Sequence, residues 1–386
     1  MKTKTLISAA LAAVLLTGCT GNTDTGSATA SAAASAAAQS SYANSCLDCG
    51  FDTVFSLRVY DVSENEFTSS YQEAADLFTY YNNLFDIYNN YDGLNNLKTV
   101  NDNAGIAPVK VDPVVIELLK KAKEFYDLSG GEFDITQGAL LNVWHNYREE
   151  GMTANENGSY GKVPSESELQ EAATHHGWDA IDIDEENSTV YITDPNVSLD
   201  VGGIAKGFAT EKIAAKLAED GTKTAAVNAG GNVRTLGTKS DGTPWRIGIQ
   251  NPSGSGSLFV IDSNTEGSFV TSGDYERAYT ADDGVTYSHI IDPKTLFPAT
   301  YYHSVSIITR DSGTADCLST TLFTMDYDEG LKLINDYKAA HPDETLEVVW
   351  IMDKDKAPAD AEYKKDAGDY TVVYTAGLDG AINWIE

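Results

Sequence analysis

The chain has 386 residues, with 58 acidic and 26 basic side chains and a formal net charge of −32. Hydrophobic residues make up 42% of it, enough to bury a sizeable core, which excludes a disordered chain. The acidic excess argues against binding to nucleic acid or anionic lipid, because like charges repel, and a polyanionic ligand would need a metal ion or a few placed cations.

The N-terminus has the pattern of an export signal. Two lysines precede an apolar run over 6–16, which is too short to span a bilayer, and the run ends in Leu-Thr-Gly-Cys at 16–19. This tetrapeptide resembles the bacterial lipobox, which implies a signal peptide over 1–18, cleavage before Cys19 and lipid on the Cys19 sulfur. The alternative is an ordinary secretion signal that happens to carry a cysteine.

Residues 19–45 are dominated by Ala, Ser, Thr and Gly. Such a stretch cannot offset the entropy lost on ordering, so it predicts a flexible tether, with the folded part over 46–386. No other stretch is long and apolar enough to span a membrane. We therefore expect a chain anchored to the cell membrane by lipid only and facing the extracytoplasmic side.

Three further cysteines are Cys46, Cys49 and Cys317. The single C-x-x-C at 46–49 lacks the additional ligands of a structural zinc site, and its simplest interpretation is a short-loop disulfide in an oxidising compartment. A redox role stays open, although a thioredoxin-like βαβ context is missing. Cys317 lies in an apolar helical segment and is predicted to be a small buried side chain.

Hydrophobic periodicity predicts alternating helices and strands without internal repeats, which indicates an α+β fold. Ser70 and Glu73 are interpreted as a capping box that opens the first helix, and Asp112 precedes Pro113 at the start of the second. The predicted helices are 70–88, 113–126, 207–219, 315–325 and 328–340. The predicted strands are 54–60, 189–193, 224–227, 245–250, 258–262, 305–309, 346–352 and 370–374. The polar, Gly-rich stretch 149–176 is expected to be an insertion or exposed loop.

Two glycine-rich turns are candidates for ligand binding. Asp-Val-Gly-Gly-Ile-Ala-Lys-Gly at 200–207 follows a strand and opens a helix, so its backbone can approach a ligand and the helix N-terminus favours anions. It lacks the spacing of a Walker loop and of the dinucleotide-binding fingerprint. Turns of this kind are often only structural, and that interpretation is favoured for Asn-Ala-Gly-Gly-Asn at 228–232.

Asp316 and Thr320 stand four residues apart on a predicted helix, so their oxygens face one direction, with Ser319 alongside. A carboxylate with hydroxyl and carbonyl oxygens suits a hard cation such as Mg²⁺, although an aspartate on a solvated helix face would look the same. His289, near the end of a predicted strand and before a turn, has the most suggestive setting of the six histidines. Phe133 to Thr136 form a tight loop into a helix, with an acid nearby.

Taken in chain order, six segments resemble the motifs of the ApbE family, the FAD:protein FMN transferases. They are Gly-Glu-Phe-Asp-Ile-Thr at 131–136, Asp-Val-Gly-Gly-Ile-Ala-Lys-Gly at 200–207, Asn-Ala-Gly-Gly-Asn at 228–232, Thr-Ser-Gly at 271–273, His-Ile-Ile-Asp-Pro at 289–293 and Ala-Asp-Cys-Leu-Ser-Thr at 315–320. The resemblance covers about 51–340, and a lipoprotein start is also typical of the family. It implies a single α+β catalytic domain of mixed sheets with packed helices.

The resemblance also implies an activity: Mg²⁺-dependent transfer of FMN from FAD to a Thr or Ser hydroxyl of a target protein, with release of AMP. The acceptor would be an exported respiratory or electron-transfer subunit. Two alternatives stay open. One is an FAD pyrophosphatase, in which water replaces the protein hydroxyl and FMN and AMP are released. The other is a non-catalytic flavin-binding lipoprotein.

Residue roles follow from the same resemblance. Mg²⁺ would be held by Asp316, Ser319, Thr320 and the carbonyl of Gly203. Flavin and nucleotide contacts would come from Phe51, Tyr88, Glu132, Phe133, Asp134, Asp200, Lys206 and Ile291. His289 would do acid/base work on the attacking hydroxyl. Phe51 stands where the family usually has Met, which keeps an apolar contact and changes its shape.

Overall fold

The structure, a computed structural model, describes residues 40–254 and 256–385. The predicted signal peptide over 1–18, the predicted lipid site at Cys19 and the tether as far as 39 lie outside the described residues. Within the described ranges, every helix is too short or too polar to cross a membrane.

Helices and strands alternate along the chain, as the sequence predicts. The helices are α1 Glu64–Phe85, α2 Leu97–Asp102, α3 Pro113–Leu128, α4 Gly138–Glu156, α5 Glu166–Ala172, α6 Ala205–Glu219, α7 Ser312–Phe323 and α8 Tyr327–Ala340. The strands are β1 Ser41–Cys46, β2 Phe55–Tyr60, β3 Val109–Lys110, β4 Ile181–Asp184, β5 Thr189–Ile192, β6 Ala225–Ala229, β7 Asn232–Leu236, β8 Trp245–Gln250, β9 Ser257–Ser263, β10 Gly267–Gly273, β11 Tyr279–Thr280, β12 Thr286–Tyr287, β13 Ser304–Thr309, β14 Leu346–Asp353, β15 Lys364–Ala367, β16 Tyr370–Tyr374 and β17 Ile382–Trp384. The fold is α+β, as predicted.

A nine-stranded antiparallel sheet organises the molecule, in the order β1-β2-β6-β7-β10-β13-β14-β16-β15. Successive residues of a strand point to opposite faces, and here both faces are covered. In β13, Ile307 packs into the core beneath α3, α6, α7 and α8, whereas its neighbour Ile308 packs on the other side against β8 and β9. All six residues of β13 are buried, because the strand is covered on both faces.

Three smaller sheets and the helices pack around this sheet. Strands β8, β9 and β17 form a sheet that covers one face, and β3, β4 and β5 form another. Helix α1 packs with α6 on β2 and β6. Helix α4 builds a separate small core with the β11-β12 hairpin, where Leu140 and Trp144 are buried with Tyr279.

The N-terminal boundary of the folded part differs from the prediction. Strand β1 begins at Ser41 rather than at Cys46, and Ser41 pairs with Tyr60 at the far end of β2. The order of 41–45 comes from backbone pairing and from the Tyr42 ring, which stacks on Phe67 at 5.8 Å. The Ala/Ser-rich composition that predicts a tether carries no signal for such edge pairing.

Two helix predictions are wrong in position. The capping box of α1 is formed by Ser63 and Glu66, not by Ser70 and Glu73, so the helix starts about two turns earlier. The stretch 149–176 is largely helical, because it contains the C-terminal half of α4 and all of α5. The N-cap at Asp112 is confirmed, since its side chain accepts the N–H of Val114 at 2.9 Å.

The cysteines adopt the simplest of the predicted states. Cys46 and Cys49 form a disulfide, with their Cα atoms 5.7 Å apart, which joins the end of β1 to the turn that carries Phe51. Cys317 is a free, fully buried thiol in α7.

Candidate active site

The N-terminus of α6 lies against α7, and two predicted motifs meet there. The backbone N–H of Gly207 donates to Oδ2 of Asp316 at 2.8 Å. A Cβ at position 207 would lie 2.2 Å from the carbonyl oxygen of Ser312, so only glycine lets the two helices approach this closely. The Asp316 carboxylate is thereby fixed at the mouth of the glycine-rich turn.

Gly203 completes this end of the site. A Cβ there would lie 3.3 Å from Oγ1 of Thr320 and 3.0 Å from the ring of Phe133. The structure therefore brings together Gly203, Thr320 and Asp316, three of the four residues predicted to hold Mg²⁺. Phe133 is buried beneath the glycine-rich turn and packs edge-on against Phe125.

The electrostatics of Asp316 fit a cation. Burial raises the pKa of this carboxyl, while Lys206, the Gly207 N–H and the nearby Asn232 amide lower it. The Asn232 side chain is buried beside this carboxyl. No group of three or more His, Cys, Asp or Glu side chains in the described part could hold a metal. One carboxylate with hydroxyl and carbonyl oxygens instead suits Mg²⁺, which takes few protein ligands and completes its shell with water or phosphate.

The fourth predicted metal ligand, Ser319, is engaged elsewhere. Its hydroxyl donates to the carbonyl of Asp316 at 3.0 Å and lies 2.8 Å from Oγ of Ser272. Ser319 therefore fastens α7 to the end of β10. Its part in metal binding stays a prediction without support from these contacts.

His289 is held in one tautomer. Its Nδ1 lies 3.1 Å from the carbonyl oxygen of Glu276, which can only accept, so Nδ1 carries the proton and Nε2 is free to accept one. Burial lowers the pKa of His289 to about 3, helped by the positive charges of Arg277, Arg148 and Lys206. The imidazole is therefore neutral at physiological pH.

Asp200 and Tyr88 lie on the α4 side of this pocket. Oδ1 of Asp200 accepts the N–H of Gly202 at 2.8 Å. Burial raises the pKa of Asp200, and the charges of Arg148 and Arg277 oppose that rise. The ring of Tyr88, half of it exposed, stacks on His145 with centroids 4.4 Å apart.

Phe51 reaches the same pocket through its backbone. It has a left-handed φ of 53°, and its N–H donates to Oδ1 of Asn82 at 2.6 Å. Its carbonyl accepts from Nη2 of Arg277 at 3.0 Å. Since Glu276 holds His289, the segment 276–277 links the predicted flavin contact at Phe51 to the predicted catalytic histidine.

Three predicted contacts have supporting roles in the structure. Oδ1 of Asp134 accepts from Oγ1 of Thr136 at 2.7 Å and so closes the turn before α4. Ile291 is buried in the small core around Trp144. Glu132 forms an ion pair with Lys294 at 2.7 Å, while its other carboxylate oxygen is buried without a partner among the described residues. Their contact with flavin stays a prediction.

The sequence interpretation missed three side chains of this site: His145, Arg148 and Arg277. A signal existed for Arg148, because it lies four residues after the buried Trp144 and so shares the buried face of α4. The expectation of a loop from 149 onward concealed that face. Arg277 had no comparable pattern beyond its nearness to the Thr-Ser-Gly segment.

The fold and the site define an α+β protein in which a buried carboxylate, several basic side chains and a neutral histidine lie near one another. The model of the ApbE family matches residues 51–342. The chain belongs to the ApbE family, which confirms the resemblance drawn from the six segments.

Comparisons with individual relatives support the same family. The chain is 35% identical over 256 residues to the FAD:protein FMN transferase of Treponema pallidum, covering 62% of this chain and 68% of that protein. It is 31% identical over 244 residues to the enzyme of the same name from Haemophilus influenzae, covering 61% and 68%. Among solved structures, an ApbE protein from Thermotoga maritima has a TM-score of 0.65 at 32% identity, covering 81% of this chain and 94% of that one. The flavin transferase ApbE from Vibrio cholerae has a TM-score of 0.66 at 23% identity, covering 89% and 99%, and supports the fold.

Proposed function

We propose that this protein transfers FMN from FAD to a Thr or Ser hydroxyl of a target protein and releases AMP. The observation that carries the proposal is the His289 site: a neutral imidazole with Nε2 free, surrounded by basic groups. Membership of a family whose relatives are named FAD:protein FMN transferase supplies the substrates.

In this reaction the acceptor oxygen forms a bond to the phosphorus on the FMN side of the FAD pyrophosphate. The bond from that phosphorus to the bridging oxygen breaks, and its electron pair leaves with AMP. The hydroxyl proton passes to Nε2 of His289. Phosphoryl transfer depends mainly on positioning and charge neutralisation, and Lys206 and Arg277 supply positive charge beside His289.

We further propose a Mg²⁺ site at the contact of α6 with α7. The Asp316 carboxylate, the Thr320 hydroxyl and the Gly203 carbonyl would hold the ion, since these three residues lie together. When bound, Mg²⁺ would neutralise the pyrophosphate and stabilise the AMP leaving group. The protein's own contribution is to keep the carboxylate buried and oriented by the Gly207 N–H.

The location is a proposal from the sequence. The lipobox-like segment ending at Cys19 favours a lipid anchor on the extracytoplasmic side of the membrane, and the Cys46–Cys49 disulfide is typical of an oxidising compartment. The acceptor would then be an exported respiratory or electron-transfer subunit.

The test is mass spectrometry of an exported flavin-carrying acceptor incubated with the protein and FAD, in Mg²⁺ or in EDTA. We expect a Mg²⁺-dependent mass gain of one FMN, lost when the acceptor Thr is changed to Ala. Free FMN and AMP without an adduct would instead identify a pyrophosphatase, and unchanged FAD would leave only flavin binding.

A further inference from the structure

Three basic side chains, Lys206, Arg277 and Arg148, lie close enough to His289 to lower its pKa. Elsewhere lysines and arginines commonly pair with carboxylates, as Lys294 does with Glu132 and Arg234 with Glu211. Among the described residues, no carboxylate oxygen lies within 4.0 Å of the charged nitrogens of Lys206 or Arg277. In a chain with 58 acidic side chains, three cations grouped near His289, of which Lys206 and Arg277 have no carboxylate partner among the described residues, indicate a site for an external anion.

Arg148 is mostly buried and has a hydrogen-bond donor without a partner among the described residues. Its side chain is only 14% exposed, and its one carboxylate neighbour, Glu149, is 3.6 Å away. Its Nε–H is buried and has no hydrogen-bond partner in the described part of the chain. A buried charged donor left without an acceptor is costly, so the guanidinium lacks a group that would satisfy it.

His145 fixes the orientation of that guanidinium. Nη2 of Arg148 donates to Nδ1 of His145 at 2.8 Å, because a guanidinium has no acceptor. Nδ1 is therefore unprotonated, and burial with the charge of Arg148 keeps the pKa of His145 below its ordinary value. Tyr88 stacks on one face of this neutral ring. Arg148 is thus held by one nitrogen while its Nε–H stays unused.

The nearby carboxylate of Asp200 does not fill this role. Its Oδ1 is taken by the N–H of Gly202, and no oxygen of Asp200 forms an ion pair with Arg148 or Arg277, although both lie close enough to lower the pKa of Asp200. Both arginines also lower the pKa of His289. Both guanidinium groups therefore lie close to Asp200 and His289.

We propose that Arg148, oriented by His145 and assisted by Arg277, forms a phosphate-binding wall on the α4 side of His289, and that its ligand is the pyrophosphate of the flavin dinucleotide. The planar guanidinium matches phosphate oxygens, and the pyrophosphate would supply the acceptor that Nε–H lacks. The identity of the dinucleotide rests on the proposed function; the preference for phosphate rests on the pocket.

Binding measurements on the full chain test this inference, with FAD, ADP and riboflavin as probes. ADP has the pyrophosphate without the flavin, and riboflavin has the flavin without phosphate. We expect Arg148→Met to weaken FAD and ADP binding by about tenfold or more, the effect of losing one charge-assisted contact, and to leave riboflavin binding nearly unchanged. Arg148→Lys should fall between, because it keeps the charge and loses the planar fork.

The matched control is Arg246→Met, which removes an exposed arginine paired with Asp262 on the β8-β9 sheet. It should leave the affinity for all three probes unchanged. Unaltered ADP binding in Arg148→Met and Arg148→Lys would overturn the proposal, as would an equal loss of riboflavin and FAD binding. If Arg148→Met does not fold, as judged by its thermal unfolding, the ADP affinity of Arg148→Lys decides.

The transferase assay separates this inference from the proposed function. If the wild-type protein adds FMN to an acceptor while Arg148 variants bind ADP normally, the phosphate-binding wall is wrong and the function stands. If the wild-type protein adds no FMN but ADP binding depends on Arg148, the wall stands and the function is wrong.

Discussion

Nδ1 of His303 lies 2.9 Å from Oδ2 of Asp274, the residue that follows β10. On the other side of the ring, Nε2 lies 3.0 Å from Oδ1 of Asp353 at the end of β14. Two carboxylates on one imidazole require both nitrogens to donate, so the ring is protonated. This arrangement, the His303 clamp, fixes the start of the segment 274–277. That segment carries the Glu276 carbonyl, which binds His289, and the Arg277 guanidinium, which binds the carbonyl of Phe51.

This clamp predicts a pH-dependent contribution to stability. The hydrogen bond to Asp274, followed by that to Asp353, raises the pKa of His303 above its ordinary value. A raised pKa stabilises the folded state fully below the unfolded-state pKa and loses that effect as pH rises through the folded-state pKa. We expect His303→Gln to lower the free energy of unfolding by about 1 kcal/mol at about pH 5 and by much less at about pH 9.

Urea unfolding at the two pH values measures this difference. His175→Gln is the control, because His175 makes only a long contact with Glu171, at 3.9 Å. An equal loss of stability at both pH values would show that the charge of His303 is not what matters.

Asp316→Asn tests the metal site. The amide keeps the size of the side chain and an oxygen for the Gly207 N–H, but it removes the charge that attracts a hard cation. We expect Mg²⁺-dependent FMN transfer to fall by about a hundredfold or more, the scale on which catalysis depends on charge neutralisation at phosphorus. Folding should be preserved, because burial raises the pKa of Asp316 and so disfavours its charged form.

A magnesium titration of the transfer rate is the measurement. Asp262→Asn, which alters a carboxylate paired with Arg246 far from the α6–α7 contact, is the control and should behave as the wild type. Full activity of Asp316→Asn at the wild-type Mg²⁺ concentration would remove this residue from the metal site.

His289→Gln separates catalysis from binding. Loss of a general base lowers turnover by about a hundredfold to ten-thousandfold, while the glutamine can still donate to the Glu276 carbonyl. We expect the affinity for FAD to stay within a fewfold of that of the wild type. A variant that loses FAD affinity and keeps kcat would make His289 a flavin contact instead.

The pH profile of kcat/KM tests the protonation state of His289 independently. Because the pKa of His289 is lowered to about 3 in the free protein, the base stays unprotonated through the neutral and mildly acidic range. The profile should therefore show no acid limb with the ordinary histidine pKa of about 6.5. A limb near that value that disappears in His289→Gln would contradict the neutral imidazole.

The sequence was most informative where short motifs and periodicity coincide. The motif around Asp316 lies on a segment that the sequence also predicts to be helical, so both the helix and the carboxylate could be predicted. Arg148 shows the opposite case, because its importance depends on side chains that come together in space. These are His145, three residues earlier on α4, and Arg277, more than a hundred residues away in the chain. The ordering of 41–45 likewise depends on β2 and not on its own composition.

The hydrogen bonds of Ser319 show a further limit of prediction from the sequence. The spacing predicts that its hydroxyl lies near Asp316 and Thr320. That hydroxyl is also hydrogen-bonded to Ser272, which lies on a strand absent from the predicted set. Side-chain hydrogen bonds that join distant segments leave no trace in local pattern. Motif matching therefore predicts which residues gather at a site better than it predicts which atoms remain free there.

Gly207→Ala tests whether the close approach of α6 and α7 positions Asp316. The added Cβ would lie 2.2 Å from the Ser312 carbonyl oxygen and 2.5 Å from Cβ of Asp316, so the helices must separate. Overpacking of this kind costs about 1–3 kcal/mol of stability. We also expect weaker apparent Mg²⁺ affinity, because separation lengthens the hydrogen bond that orients the carboxylate.

Gly254→Ala is the matched control, since a Cβ there meets nothing within 4 Å. Thermal unfolding and a magnesium titration measure the two effects, and a destabilised variant with unchanged Mg²⁺ dependence would show that this contact supports the fold without positioning Asp316.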